Sequence, residues 1–192
     1  LELKVSTINR SPLIFIDQEG GKVQRLRGKN FTDFPPQKIF GDLCEVNENK
    51  ALTLSYLTSY LIGNELKEIG IDVNFSPVCD LVFDNAHKII GNRSFGKNPE
   101  TANKLVSQYC KGLMDSGVFP VLKHYPGHGR SKKDTHNDVS CIRTDLKTLK
   151  ETDLIPFLCL KEETFVMLAH ITYPGIDSEI ATYSKKINKL LR

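Results

Sequence analysis

Four short apolar-rich runs, each with a polar or charged side chain at or just past its end, limit what this chain can fold into. Pro12 to Ile16 is continuous, the mark of a strand buried on both faces. Ile71 to Phe75, Val118 to Leu122 and Phe165 to Ala169 read as the next three strands. Helical patterns lie between and after them. From Glu48 to Ile69, the spacing of Leu54, Leu57, Leu61 and Leu66 predicts an amphipathic helix, with Gly70 at the C-terminal cap. Asn98 and Pro99 supply a cap and a first helical residue, and Ala102, Leu105, Val106, Tyr109 and Leu113 form the buried stripe up to Gly117. Thr144 to Glu163 reads as a helix broken or kinked near Pro156, and Ser184 caps a short helix that runs to Arg192.

Strand, loop, helix, strand implies parallel strands joined by helical crossovers. Asp17, Asn74, Lys123, His124 and His170 all fall at or just beyond the C-terminal ends of the apolar runs. That edge is the active-site face of a (β/α)8 barrel, but a doubly wound open sheet gathers its loops at the same ends. The pattern alone leaves both architectures open.

Composition removes other classes. The 192 residues, 40% hydrophobic and 26% charged, suit one soluble domain with a single core. A net charge of +3 is weak, and the lysines near 123–133 and 185–192 are separated by mixed sequence, which fits a solvated surface rather than a nucleic-acid face. The five cysteines (Cys44, Cys79, Cys110, Cys141 and Cys159) are odd in number and form no C-x-x-C pair, so free thiols in a reducing compartment are expected. No apolar run approaches the ~20 residues of a membrane helix, and no leader-like segment opens the sequence. The cytoplasm is the expected compartment, with neither membrane nor nucleic acid as partner. The first residue is leucine, so this start is not expected to be that of translation.

The densest reactive stretch is KHYPGHGRSKKDTH, Lys123 to His136. In an extended segment, residues two apart point to the same side, so the Asp134 carboxylate reaches a ring nitrogen of His136. Such a bond fixes the tautomer, raises the basicity of the ring and makes the pair a general acid/base candidate. Gly127 and Gly129 permit positive φ and are expected to give the loop room to swing over a ligand. Lys123 and His124, at the strand end, suit holding hydroxyls or an anionic group. The plain alternative for an isolated D-x-H is a solvated basic loop, and so dense a set of titratable groups predicts a poor core. The connection from Ser76 to Lys97, which holds Asp80, His87 and Arg93, is long enough to suggest a functional loop.

The same fourteen residues resemble the K-H-F-P-G-H-G-D-T-x-x-D-S-H signature of family 3 glycoside hydrolases of the β-N-acetylhexosaminidase type, cytoplasmic enzymes of peptidoglycan recycling. IDQEGGKVQRLR (Ile16 to Arg27), IGNRSFGKNPE (Ile90 to Glu100) and VMLAHITYPGID (Val166 to Asp177) are similar to that family in the same order. The resemblance implies an α/β fold, an incomplete (β/α)8 TIM barrel with about four parallel strands and crossover helices, so that residues 1–192 form a partial N-terminal domain. It implies sugar binding by Asp17, Arg25, Arg93, Lys123 and His124, and an acid/base role for His136 oriented by Asp134. No metal or other cofactor is implied. The partner is a small carbohydrate of the N-acetylglucosaminyl muropeptide type, and the reaction is removal of terminal non-reducing β-linked N-acetylhexosamine by a retaining mechanism.

The sequence departs from the family at two places. Arg130 and Ser131 stand where aspartate and threonine are usual. The nucleophile of the family is an aspartate beyond the S-K-K-x-I-x-x-L-L-R helix, which here is Ser184 to Arg192, so no residue of this chain matches it. The expectation is a piece truncated at both ends and inactive alone. Such a piece would expose strand edges and apolar helix faces, be poorly soluble or require a complementary chain. Two other readings stay open: a non-catalytic remnant that binds amino sugars, and a metal hydrolase using His124, His128, His136 and Asp134, although the loop lacks H-E-x-x-H spacing.

Overall fold

The computed structural model describes residues 12–84, 86, 88–132, 140–159 and 164–192. In chain order, β1 (Phe15–Ile16) leads into a hairpin of β2 (Gln18–Gly20) and β3 (Val23–Gln24), then α1 (Lys38–Val46), α2 (Glu48–Glu68) and β4 (Val73–Asn74). A long connection contains the 3-10 turn Gly91–Arg93 and precedes α3 (Pro99–Asp115) and β5 (Phe119–Tyr125). β6 (Ser140–Cys141), α4 (Leu146–Glu151), the 3-10 turn Ile155–Phe157 and β7 (Phe165–Leu168) follow. The chain closes with the antiparallel pair β8 (Ile171–Tyr173) and β9 (Asp177–Ile180), and with α5 (Lys185–Leu191). No described helix is long and apolar enough to cross a membrane.

β1, β4, β5 and β7 form one parallel sheet in that order, with Phe15 opposite Val73, Val73 opposite Phe119 and Val121 opposite Phe165. The order never reverses along the chain. A doubly wound sheet must reverse at a switch point, whereas right-handed crossovers in unbroken order put every connecting helix on one side, as in a barrel wall. The fold is therefore α/β with the parallel wall of an incomplete barrel. Among the described residues, β1 and β7 end this sheet with one neighbour each. Apolar side chains are exposed along it, as an open wall requires. Phe15 is 41% exposed and Phe119 and Phe165 are 40%, with the Phe165 ring 6.0 Å from both of the others.

Several elements match the sequence reading. Asn98 accepts a hydrogen bond from the Thr101 N–H, Pro99 opens α3, and the whole stripe from Ala102 to Leu113 is buried. Ser184 caps α5 through the Ile187 N–H, and Gly70 follows α2 at φ 80°. The stripe on α2 does not match. Leu66 is buried, but Leu57 and Leu61 are 44% and 54% exposed, and the inward face is Ala51, Ser55, Ser59, Ile62, Gly63 and Leu66. Small side chains serve there because α2 and α3 lie unusually close. A Cβ on Gly112 would stand 2.3 Å from the Tyr56 carbonyl oxygen, and one on Gly63 would stand 1.8 Å from Ser116 Oγ.

The long helix expected from Thr144 to Glu163 is instead the short α4, capped by Asp145, and a separate 3-10 turn. The chain turns at Thr152 because the Asp153 side chain is drawn inward to Arg130, and Pro156 has no N–H with which to resume an α-helical ladder. Residues 160–163 lie outside the described residues. The third strand runs past Leu122 to Tyr125, since β7 pairs with it as far as Leu168, so Lys123 and His124 lie within a strand rather than after one.

Gly112→Ala tests the close packing of α2 on α3. Ser59 could rotate away, but the Tyr56 carbonyl cannot, so the stability to denaturant should fall by roughly 1–3 kcal/mol with an unchanged denaturant slope.

Candidate active site

The site begins with period-two alternation in β1 and β2. Asp17 and Glu19 flank Gln18, whose side chain turns away and accepts the N–H groups of Arg25 and Leu26 at 2.8 and 3.1 Å. Those bonds fold β3 back so that Arg25 returns over Asp17, at 3.4 Å. Asn74, at the end of β4, clips the hairpin to the sheet by accepting the Gln18 N–H and donating to the Gln18 carbonyl. Gly20, at φ 95°, is required: a Cβ would stand 2.5 Å from the Pro35 carbonyl oxygen.

Lys123, on β5, is 2% exposed and lies between the two carboxylates, 2.9 Å from Asp17 and 2.6 Å from Glu19. Arg93, on the Gly91–Arg93 turn, binds both Glu19 oxygens, at 2.9 and 2.8 Å. The result is an alternating row of Arg25, Asp17, Lys123, Glu19 and Arg93, three cations and two anions. Burial pushes the Asp17 carboxyl up, but Lys123 and Arg25 outweigh it and hold the group below its ordinary range. Burial acts on Glu19 in the same sense and is overcome by Arg93 and Lys123. Burial lowers the Arg93 pKa, but Glu19, with Asp80 and Asp17, more than offsets it and displaces it upward.

A second buried carboxylate orients the imidazole. Asp80 accepts the backbone N–H groups of His124 and His128 on one oxygen, at 3.2 and 2.6 Å, and faces His124 Nδ1 with the other, at 2.7 Å. Burial raises the Asp80 pKa and the two histidines more than reverse it, so Asp80 is ionised and can only accept. His124 therefore donates through Nδ1 and keeps Nε2 for the cleft. Burial holds the His128 ring below its usual pKa.

One cleft of about 640 Å³ is lined by all five sequence-predicted sugar-binding residues, Asp17, Arg25, Arg93, Lys123 and His124, together with His128, His170 and apolar groups such as Met167. A larger cavity of about 810 Å³, near Phe83, Lys132 and Arg143, holds none of those five. The predicted acid/base pair, His136 and Asp134, lies outside the described residues, as does His87. The sequence reading did not single out Glu19, and it noted Asp80 without giving it a role. The available signal was a carboxylate two residues from Asp17 on a strand, and another just after the apolar Val78–Cys79 pair.

The reactive loop differs from expectation. Tyr125 to Gly129 is buried rather than solvated. Gly127 has φ 129°, but a Cβ there would stand 2.8 Å from the Asp153 Cβ. Gly129 is outside the positive-φ region and is needed for another reason, since a Cβ would stand 1.8 Å from the Leu81 carbonyl oxygen. Both glycines are wedged and give no freedom to swing. Arg130 stacks on the Phe83 ring at 4.0 Å and donates to Asp153 at 2.8 Å, while the Ser131 and Ser140 hydroxyls meet at 2.7 Å. Among the described residues, no group of three or more His, Cys, Asp or Glu side chains could hold a metal ion.

Comparison with known proteins fits this geometry. The profile of the glycosyl hydrolase family 3 N-terminal domain matches residues 3–192. The chain belongs to glycoside hydrolase family 3. Its family relatives include the beta-hexosaminidase of Stenotrophomonas maltophilia (strain K279a), 37% identical over 186 residues, covering 95% of this chain and 55% of that protein. The beta-hexosaminidase of Chromobacterium violaceum is 37% identical over 175 residues, covering 90% and 48%. The chain spans about half the length of the curated relatives it matches. Among solved family 3 structures, NagZ from Neisseria gonorrhoeae in complex with N-trifluoroacetyl-D-glucosamine superposes with a TM-score of 0.84 at 36% identity, covering 90% of this chain and 51% of that one. A family 3 β-N-acetylglucosaminidase from Paenibacillus sp. reaches 0.86 at 33% identity, covering 94% and 34%.

The charged row sets a pH dependence. Asp17, Glu19 and Asp80 are held below their unfolded values, so each contributes stability that is present at neutral pH and lost as pH falls through its folded pKa. Asp153, raised by burial, works in the opposite sense. Thermal midpoints should stay level from pH 7 to about 5 and drop below about 4.5. Glu19→Gln should cost about 3–5 kcal/mol at pH 7 by leaving buried cations uncompensated, and its deficit against the unaltered chain should shrink on acidification.

Proposed function

We propose that this chain is the sugar-binding part of a retaining β-N-acetylhexosaminidase that removes terminal non-reducing β-linked N-acetylglucosamine, as in peptidoglycan recycling. The observation that carries this reading is the convergence of Asp17, Arg25, Arg93, Lys123 and His124 on one cleft at the C-terminal ends of parallel strands. The amino sugar bound in the Neisseria gonorrhoeae NagZ structure supports the same substrate class.

In this mechanism, Asp17 and His124 Nε2 accept hydrogen bonds from sugar hydroxyls, and Arg25, Arg93 and Lys123 donate to ring substituents and the acetamido oxygen. Glu19 and Asp80 hold those groups without touching the sugar. His136, oriented by Asp134, protonates the leaving glycosidic oxygen and later activates water. A histidine in that post departs from the two-carboxyl arrangement of most retaining glycosidases. The nucleophile is an aspartate that no residue of this chain matches, so the chain alone binds without turnover. A complementary segment or chain supplies the nucleophile and covers the edges that β1 and β7 leave unpaired among the described residues. The thiol pattern supports a cytoplasmic setting.

N-acetylglucosamine should bind the isolated chain with a dissociation constant on the order of 1 mM, and Asp17→Asn should weaken it at least about tenfold. Nitrophenyl β-N-acetylglucosaminide should bind without nitrophenol release. Release by the purified single chain that disappears in His136→Ala would sink the claim that an external nucleophile is needed. Failure of the unaltered chain to bind the sugar would sink the site reading itself.

A further inference from the structure

His170 follows β7, the neighbour of β5, and lines the same cleft as the charged row, yet neither the ion pairs nor the chemistry above employs it. We propose that His170 is an additional sugar-binding residue, one that accepts a hydrogen bond through Nε2 from a hydroxyl or the acetamido N–H of the N-acetylhexosamine. This rests on the amino-sugar reading of the cleft and extends it to the β7 wall.

The proton inventory sets the direction. Thr182 Oγ1 lies 3.4 Å from the Ala169 carbonyl oxygen and 3.3 Å from His170 Nδ1. A carbonyl can only accept, so the single hydroxyl proton of Thr182 goes to Ala169, and the Thr182 oxygen is left to accept from His170. Nδ1 then carries the ring proton and Nε2 presents a lone pair. Both contacts are long, so they steer the ring rather than clamp it.

The cleft needs such an acceptor. Arg25, Arg93 and Lys123 are donors only, and Asp17, which accepts from the sugar, shares each of its two oxygens with Lys123 or Arg25. A pyranose offers a proton from every hydroxyl, and a wall rich in cations satisfies its oxygens but not those protons. His124 Nε2 provides one acceptor on β5, and His170 provides a second just past the end of the neighbouring strand β7. Met167, beside it, gives an apolar surface for the C–H face of the ring. His170 is exposed, so packing does not account for a polar ring held at this place.

The experiment is a titration of N-acetylglucosamine at pH 8 into the unaltered chain and into His170→Ala, His170→Gln and Thr182→Val, followed by NMR, with the imidazole nitrogen shifts read in parallel. His170→Ala should weaken binding about 3- to 10-fold. His170→Gln, whose amide oxygen can accept, should recover part of the loss. Thr182→Val should weaken binding less than His170→Ala and shift the ring toward the Nε2–H tautomer. If the unaltered chain and His170→Ala bind equally well, the role of His170 is overturned while the sugar site stands. A His170 ring protonated at Nε2 in the unaltered chain overturns it as well. No binding by the unaltered chain overturns the sugar site, and the role of His170 with it.

Discussion

An ammonium group removed from water is the constraint around which this molecule is arranged. Lys123 is 2% exposed, and an unpaired charge at such a depth carries a penalty of several kcal/mol. Both compensating carboxylates come from one short strand segment, because Asp17 and Glu19, two residues apart, project to the same side. Glu19 then needs a second cation, and Arg93 meets it with both prongs of its guanidinium. A strand, a hairpin and a distant loop are thus held in register by one row of alternating charge. Lys123 and Glu19, each 2% exposed, are tolerable only while their partners are present.

The second organising group is Asp80, which reaches β5 from the loop after β4. By collecting two backbone N–H groups and one ring nitrogen, it fixes the direction of the His124 ring as well as its protonation. The buried Tyr125 to Gly129 segment packs against Leu81 and Asp153, so the end of β5 is rigid core on one side and cleft lining on the other. Helices α2 and α3 stay out of the chemistry. Their close approach at Gly63 and Gly112 supports the wall from which the charged groups project.

Features fixed by neighbouring residues were readable from the sequence. The strands, the caps at Asn98 and Ser184 and the stripe of α3 all belong to this class, whereas Arg25 and Arg93 were reached only through the family resemblance. Failures arose where distant partners decide. Leu57 and Leu61 have helical spacing yet face solvent, because the partner helix accepts only small side chains. The break after α4 depends on Asp153 meeting Arg130 across 23 positions. Glu19 carried no signal of its own, because the partners that give it a role, Lys123 and Arg93, are distant in sequence. The choice of a barrel wall over a doubly wound sheet needed either a family resemblance or the observed strand order, since both architectures share the same local pattern. α1, β6 and the β8–β9 pair left no strong periodic signal and went unassigned. His136 and Asp134, the expected acid/base pair, lie outside the described residues.

Arg130 occupies a position where its family usually carries an acid, and it is held by Asp153, which is only 1% exposed. The two positions therefore act as one electrostatic unit. An acid placed at 130 alone would set two negative groups face to face, one of them a buried carboxylate, whereas exchanging both together would keep the corner neutral. Transplants between this chain and its relatives have to carry the loop and the turn after α4 as one cassette.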